Sequence, residues 1–132
     1  MKKHLLGLVS ALALLAAPAF GADLSLDGNL RGNCGTATVV SNAVTLANKC
    51  GVLTTESLTA PASSDYQVTL TDTVVAAGDI VVWSVGYGSS TTGLPGAGMA
   101  KVTASTILFD VRQLSATNFN GTLTISYFVI KP

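Results

Sequence analysis

Cys34 and Cys50 are the residues of this chain best suited to chemistry, since a pair of thiols can form a redox centre, part of a metal site or a disulfide. They lie at the two ends of the stretch NCGTATVVSNAVTLANKC and do not form a Cys-x-x-Cys redox motif. Zinc takes about four ligands, and the only histidine, His4, lies in a segment predicted below to be removed. The pair therefore predicts a structural disulfide and no metal site.

The residues between the cysteines suggest how the disulfide forms. A three-residue turn at 41–43 would pair Val40 with Val44 and, further out, Cys34 with Cys50. Directly opposed residues of antiparallel strands have Cα atoms about 4.5–5.5 Å apart, which is within disulfide range. Closing a loop of about 15 residues is worth about 3 kcal/mol. We therefore expect a hairpin whose open end is closed by the disulfide.

Two carboxylates, Glu56 and Asp110, lie inside predicted strands, while most of the other acidic residues flank strands. A glycosidase would need such a pair close together in a cleft, whereas solvent-facing strand positions need no special environment. Catalytic triads built on histidine are excluded once His4 is removed. The segment 23–29 lacks the spacing of a calcium loop. We expect neither enzymatic activity nor a cofactor.

Trp83 and Tyr87 are four positions apart, so they share one face of a strand. The segment that follows, 89–98, is rich in Gly, Ser and Thr and predicts a surface loop. An exposed aromatic pair beside such a loop could stack on a sugar. A glycan is therefore an alternative partner of this protein. In the structural interpretation, the same two aromatic side chains lie in or beside the core.

The N-terminus has the pattern of a secretory signal peptide. Two lysines precede an uncharged apolar run at 5–17, and small-x-small cleavage patterns end at Gly21. The run is shorter than the roughly 20 residues that span a bilayer. We expect cleavage of 1–21 and a single mature domain at 22–132 with no membrane span. The protein would be secreted, extracellular or on the cell surface, with the periplasm as an alternative.

Charge argues against nucleic-acid binding. The whole chain has seven basic and seven acidic residues. Removal of the signal takes two lysines and leaves a mature chain with five basic and seven acidic residues, a net charge of −2. Binding to nucleic acid relies on phosphate neutralisation by clustered Lys and Arg, and this chain has no such cluster.

Alternating apolar residues predict strands throughout the mature chain. Two sets alternate with a period of two: Tyr66, Val68 and Leu70, and then Ile107, Phe109 and Val111, which we expect to point inward. The run at 80–87 is apolar on both faces, which favours a central strand. The sequence predicts an all-β fold: an antiparallel β-sandwich, jelly-roll or Ig-like, with about seven to nine short strands and one intrachain disulfide.

The two ends of the mature chain suggest self-association. The last strand closes with four consecutive apolar residues, which suit either a central strand or an edge covered by another subunit. Near the N-terminus, two leucines alternate with polar residues in a segment that could add to a neighbouring sheet. The predicted assembly interface comprises Leu24, Leu26, Tyr127, Phe128, Val129 and Ile130.

From residue 51 to the end, the order of strands and turns resembles small β-sandwich domains of phage and bacterial surface structural proteins. The resemblance is carried by GVLTTESLT at 51–59, YQVTLTD at 66–72 and FNGTLTISYFVI at 119–130. It implies a structural or adhesive role in repeated copies, without catalysis. The signal peptide differs from phage capsid proteins, which assemble in the cytoplasm, and favours a secreted fibre or surface subunit.

The expected function is that of a secreted structural protein. Such a protein would be a subunit of a self-assembling extracellular fibre or surface layer, a homo-oligomer or polymer that associates by β-strand addition or edge packing. The alternative is a monomeric extracellular binding module for a glycan or another surface ligand, in which Trp83 and Tyr87 form the platform.

Overall fold

The computed structural model of the chain describes residues 34–59, 61 and 63–132. These residues form eight β-strands and no helix, so none of them lies in a helix that could cross a membrane. The strands are β1 (Gly35–Thr38), β2 (Ala43–Thr45), β3 (Cys50–Thr54), β4 (Asp65–Thr71), β5 (Ile80–Tyr87), β6 (Pro95–Thr103), β7 (Thr106–Gln113) and β8 (Leu123–Ile130). The predicted signal peptide, Leu24 and Leu26 lie outside the described residues.

The strands form two four-stranded sheets around one core, which confirms the predicted sandwich. Sheet A has the order β1-β3-β8-β5, and sheet B has the order β2-β4-β7-β6. Four of the neighbouring pairs are antiparallel. The pairs β1–β3 and β2–β4 are parallel, so the sandwich is antiparallel except at one edge of each sheet.

The core consists of the alternate residues that the two sheets turn toward each other. The period-two prediction holds: Val68, Leu70, Ile107, Phe109 and Val111 are fully buried, and Tyr66 is nearly so. Sheet A contributes Leu53, Leu123, Ile125, Tyr127 and Val129, which the register of β3 and β8 places on its inner face. The apolar area removed from water by these side chains is the main force that holds the two sheets together.

The predicted hairpin between the cysteines is wrong, and its turn is one residue shorter than predicted, because Val40 pairs with Ala43 and not with Val44. Ser41 and Asn42 both have positive φ and form a two-residue turn closed by hydrogen bonds between Val40 and Ala43. On either side of this turn the chain enters different sheets, with β1 beside β3 and β2 beside β4. This separation places Val39 and Val44 inside the core. A hairpin that continued along the surface would leave more of their apolar area in water.

The expected central position of β5 is also wrong. β8 lies between β3 and β5, so β8 is the central strand and β5 is an edge of sheet A. On β5, Val81, Trp83 and Val85 pack against the core, while Ile80 and Val82 face outward and are 56% and 57% exposed. The apolar outer residues that suggested a central strand therefore lie on the surface.

The loop predicted at 89–98 is shorter than expected. β6 begins at Pro95, so only 88–94 connect β5 to β6. β6 itself is irregular, because its register against β7 shifts between Ala97 and Ala100. Such a bulge bends the strand and increases its twist.

Candidate assembly interface

The predicted disulfide between Cys34 and Cys50 is present, but it joins parallel strands. Gly35 is opposite Gly51, which places the cysteines side by side one residue earlier, with Cα atoms 4.7 Å apart. Leu46 covers both glycines, and a Cβ atom on Gly35 would approach its side chain to 2.5 Å. The disulfide therefore links β1, an edge strand, to the interior of sheet A, which is a position suited to a structural disulfide.

Glu56 has a specific structural partner, the turn that joins the two sheets. Its carboxylate accepts hydrogen bonds from the backbone N–H groups of Ser41, at 2.7 Å, and Asn42, at 3.3 Å. It also accepts a hydrogen bond from the Tyr66 hydroxyl at 3.0 Å. Burial, reinforced by this carboxylate, raises the pKa of Tyr66 above its ordinary value, so the hydroxyl stays a donor.

Asp110 lies elsewhere, on the outer side of β7 in sheet B. Its Oδ2 is 3.6 Å from Nε of Arg112, and a Cβ atom on Gly98 would approach it to 2.7 Å. Glu56 follows a strand of sheet A and is bound to the 41–42 turn. The structure thus gives the two carboxylates separate partners and does not bring them into a common cleft. Among the described residues, no group of three or more potential metal ligands occurs.

Trp83 and Tyr87 share a strand face, but that face is the inner one. The Trp83 ring lies 5.2 Å from the Phe109 ring, measured between centroids, and packs against the core. Tyr87 is half exposed, and its hydroxyl donates to the Gly93 carbonyl at 2.8 Å. The indole is therefore engaged in the core rather than paired with Tyr87 on an open platform.

The segment that follows β5 is held in place by Asn120. The side-chain oxygen of Asn120 accepts hydrogen bonds from the N–H groups of Thr91, at 2.7 Å, and Thr92, at 3.1 Å, and from the Ser90 hydroxyl. The side-chain amide of Asn120 donates to Thr91 Oγ1 at 2.9 Å. Asn120 thus holds the neighbouring loop in place.

The four apolar residues that end β8 divide between the two faces of sheet A. Tyr127 and Val129 point inward and are buried, and burial together with the nearby Asp72 carboxylate raises the pKa of Tyr127. Phe128 and Ile130 point outward, and Ile130 is 40% exposed. Of these four residues, Phe128 and Ile130 are the two that face outward and can contact another molecule.

Phe128 and Ile130 form one continuous apolar surface with two residues of β5. The register pairs Ile80 with Ile130 and Val82 with Phe128, so these four side chains are neighbours on the outer face. We call them the apolar patch. A shallow, open depression of about 250 Å³ overlaps the patch and is lined by residues 82–84 and 126–128. Contiguous exposed apolar surface of this kind is typical of interaction sites.

The outer face of sheet A is uncharged throughout its described strands. Besides the apolar patch, its alternating outward positions are Thr36, Thr38, Cys50, Val52, Thr54, Ser84, Gly86, Thr124 and Ser126. An uncharged sheet face is easily desolvated, because no ionised group must lose its water when a partner covers it.

β5 also presents a free row of backbone hydrogen-bonding groups. Gly88 donates to the Thr122 carbonyl, which continues the β5–β8 register and identifies even-numbered positions as the hydrogen-bonded pairs. The odd-numbered residues Val81, Trp83, Val85 and Tyr87 therefore direct their N–H and C=O groups away from β8. Within the described residues, no strand pairs with that side of β5.

The end of sheet A that carries the apolar patch is held by an ion pair. Lys131 Nζ lies 2.6 Å from Oδ2 of Asp79, which directly precedes β5, and also donates to the Val74 carbonyl. The same Asp79 oxygen accepts from the Ala76 N–H at 2.8 Å. The Ala76 hydrogen bond and the Lys131 ammonium together lower the pKa of Asp79 below its ordinary value.

Comparisons with known proteins add no relative: no protein-family model, no curated protein and no solved structure matches this chain. The resemblance to surface structural proteins therefore stays a hypothesis based on the order of its strands and turns.

Proposed function

We propose that the protein is a secreted structural subunit that assembles with copies of itself into an extracellular fibre or surface layer. The observation that carries this proposal is the edge of β5 beside the apolar patch, with which no strand of the described residues pairs. A long apolar edge strand without charge, proline or bulge is a template for another strand. All eight residues of β5, IVVWSVGY, lack these protective features.

The disulfide and the predicted signal peptide support a location outside the cytoplasm. Disulfides persist in oxidising compartments and are rare in reducing ones. The Cys34–Cys50 bond is consistent with such an environment. A secreted protein at high local concentration would meet its own copies first, and an unprotected edge then serves association.

Self-association should depend on protein concentration and on the outer face of β5. We expect the purified mature protein to form oligomers that light scattering detects with increasing concentration. The substitution Val82→Lys places a charge at the centre of the apolar patch, where the side chain is 57% exposed and folding can tolerate the change. It should weaken association at least about tenfold, or about 1.4 kcal/mol.

The matched control is Met99→Lys on β6, the edge strand of sheet B that follows β5 in the chain. Met99 is 72% exposed, so the same charge is added at a comparable surface position. Equal association of this variant and the unmodified protein is expected. A protein that remains monomeric at the highest concentrations, or an equal loss in both variants, would contradict the proposal.

A further inference from the structure

We infer that the N-terminal segment of one copy pairs, as an added strand, with the free edge of β5 in a second copy. The inference rests on the proposed self-assembly and names its donor and its acceptor. The acceptor comprises the backbone groups of the odd-numbered β5 residues together with the apolar patch. The donor is the segment 22–27, ADLSLD, at the start of the predicted mature chain.

The donor matches the acceptor in pattern. Leu24 and Leu26 lie two positions apart and would share one face of an added strand. Placed on the outer face, they extend the apolar patch beside Ile80 and Val82, both of which are more than half exposed. Main-chain hydrogen bonds to Val81, Trp83 and Val85 supply the rest of the contact, as in other cases of strand addition.

Topology places β1, the first described strand after the donor in the chain, at the edge of sheet A opposite β5. The described chain begins at Cys34, directly before β1, which is the edge strand opposite β5. β1 and β5 run in the same direction, because β1 is parallel to β3 and both β3 and β5 are antiparallel to β8. Cys34 and Ile80 therefore lie at the same end of the sheet, separated by its width.

Pairing within one copy would stretch the connection between donor and β1. A strand added outside β5 lies four strand spacings from β1, or about 19 Å. The connection from Asp27 to Cys34 spans at most about 25 Å when fully extended, which leaves little slack for the turns at either end. Pairing with a second copy has no such constraint. Because donor and acceptor are different surfaces, this pairing is head-to-tail and can continue into a filament.

The test uses a mature protein that begins at Arg31 and a fluorescent peptide of residues 22–31. Circular dichroism and thermal unfolding first establish that the truncated protein keeps its fold. We expect the truncated protein to lose self-association and to bind the peptide saturably. Binding should be at least tenfold weaker in the truncated Val82→Lys variant and unchanged in truncated Met99→Lys. A peptide with both leucines changed to serine should bind at least tenfold more weakly.

The outcomes separate this inference from the proposed function. If the truncated protein still assembles as the full mature chain does, the donor is wrong, while self-assembly stands. If the full mature chain is a monomer and the truncated protein binds the peptide, the segment pairs within its own copy, which overturns the inference and the proposed assembly. If every form is a monomer and no peptide binds, both are also wrong.

Discussion

The two sheets of the sandwich differ in the charge of their outer faces. Sheet B has charged side chains on its outer face, including Asp65, Lys101, Asp110 and Arg112, while the outer face of sheet A has none in its described strands. The edges differ in the same way. β6 begins with a proline and contains a bulge and a lysine, features that discourage strand addition, and β5 has none of them.

This difference indicates that sheet A is suited to be covered and sheet B to face water. The patch-bearing end of sheet A carries a covalent link and an ion pair. The Cys34–Cys50 bond lies in the same cross-strand row as Val82 and Phe128, and the Lys131–Asp79 ion pair adjoins Ile130 and Ile80. A rigid surface loses less conformational entropy when a partner binds. These links should therefore favour association as well as folding.

The largest expected effect tests whether sheet A depends on its covalent link. Replacing both cysteines with serine should lower the free energy of unfolding by about 3 kcal/mol, because the unfolded chain regains its loop entropy. Denaturant unfolding measures the loss, and a reductant should have no further effect on this variant. Hydrogen exchange should accelerate in every strand that exchanges through global unfolding, and β1 should show an additional increase because it loses its link to β3. A β1 that accelerates no more than β4 and β7 would contradict the asymmetry.

A smaller effect is expected at the joint that the two sheets share. Glu56→Ala removes the acceptor for two backbone N–H groups of the 41–42 turn and should cost about 1–2 kcal/mol. Glu56→Gln keeps one side-chain oxygen as an acceptor and should cost less. Because the turn connects β1 to β2, hydrogen exchange should change in both sheets alike. An effect confined to sheet A would show that the turn does not couple them.

The smallest expected effect is a loss of stability in acid at the end of sheet A that carries the apolar patch. The pKa of Asp79 is lowered in the folded protein, so its ionised form contributes stability above its ordinary pKa of 3.8. That contribution disappears as the pH falls through the folded-state pKa. Asp79→Asn should therefore show a weaker loss of stability below about pH 4 than the unmodified protein in thermal unfolding. Identical acid profiles for Asp79→Asn and the unmodified protein would exclude the role of Asp79.

The sequence predicted those parts of the fold that depend on local pattern. Period-two alternation correctly identified the inward residues of β4 and β7, and cysteine content with the predicted compartment identified the disulfide. The hairpin prediction was wrong because β1 pairs with β3 and β2 pairs with β4. No local sequence pattern indicates that the chain passes from one sheet to the other at this turn. The Ser41-Asn42 turn was two residues long, since both adopt positive φ with the support of Glu56.

The candidate interface was predicted only in part. Apolar residues on both faces of a strand fit a buried central strand and an exposed edge strand equally well, so β5 and β8 could not be told apart by composition. Trp83 was assigned correctly to one face with Tyr87, but the sequence did not show that this face packs on Phe109. Lys131 and Asp79 are far apart in the chain, so their contact could not be predicted from residue spacing.

The central position of β8 has a consequence for the order in which the protein folds. β8 pairs with both β3 and β5, yet it comes from the last ten residues of the chain. During synthesis, sheet A cannot close until those residues emerge, whereas the described strands of sheet B are complete at residue 113. Long-range pairing of this kind is slow and leaves strand edges exposed. The nascent chain would thus display several unpaired edges before β8 arrives, and its insertion leaves β5 as the long edge of sheet A.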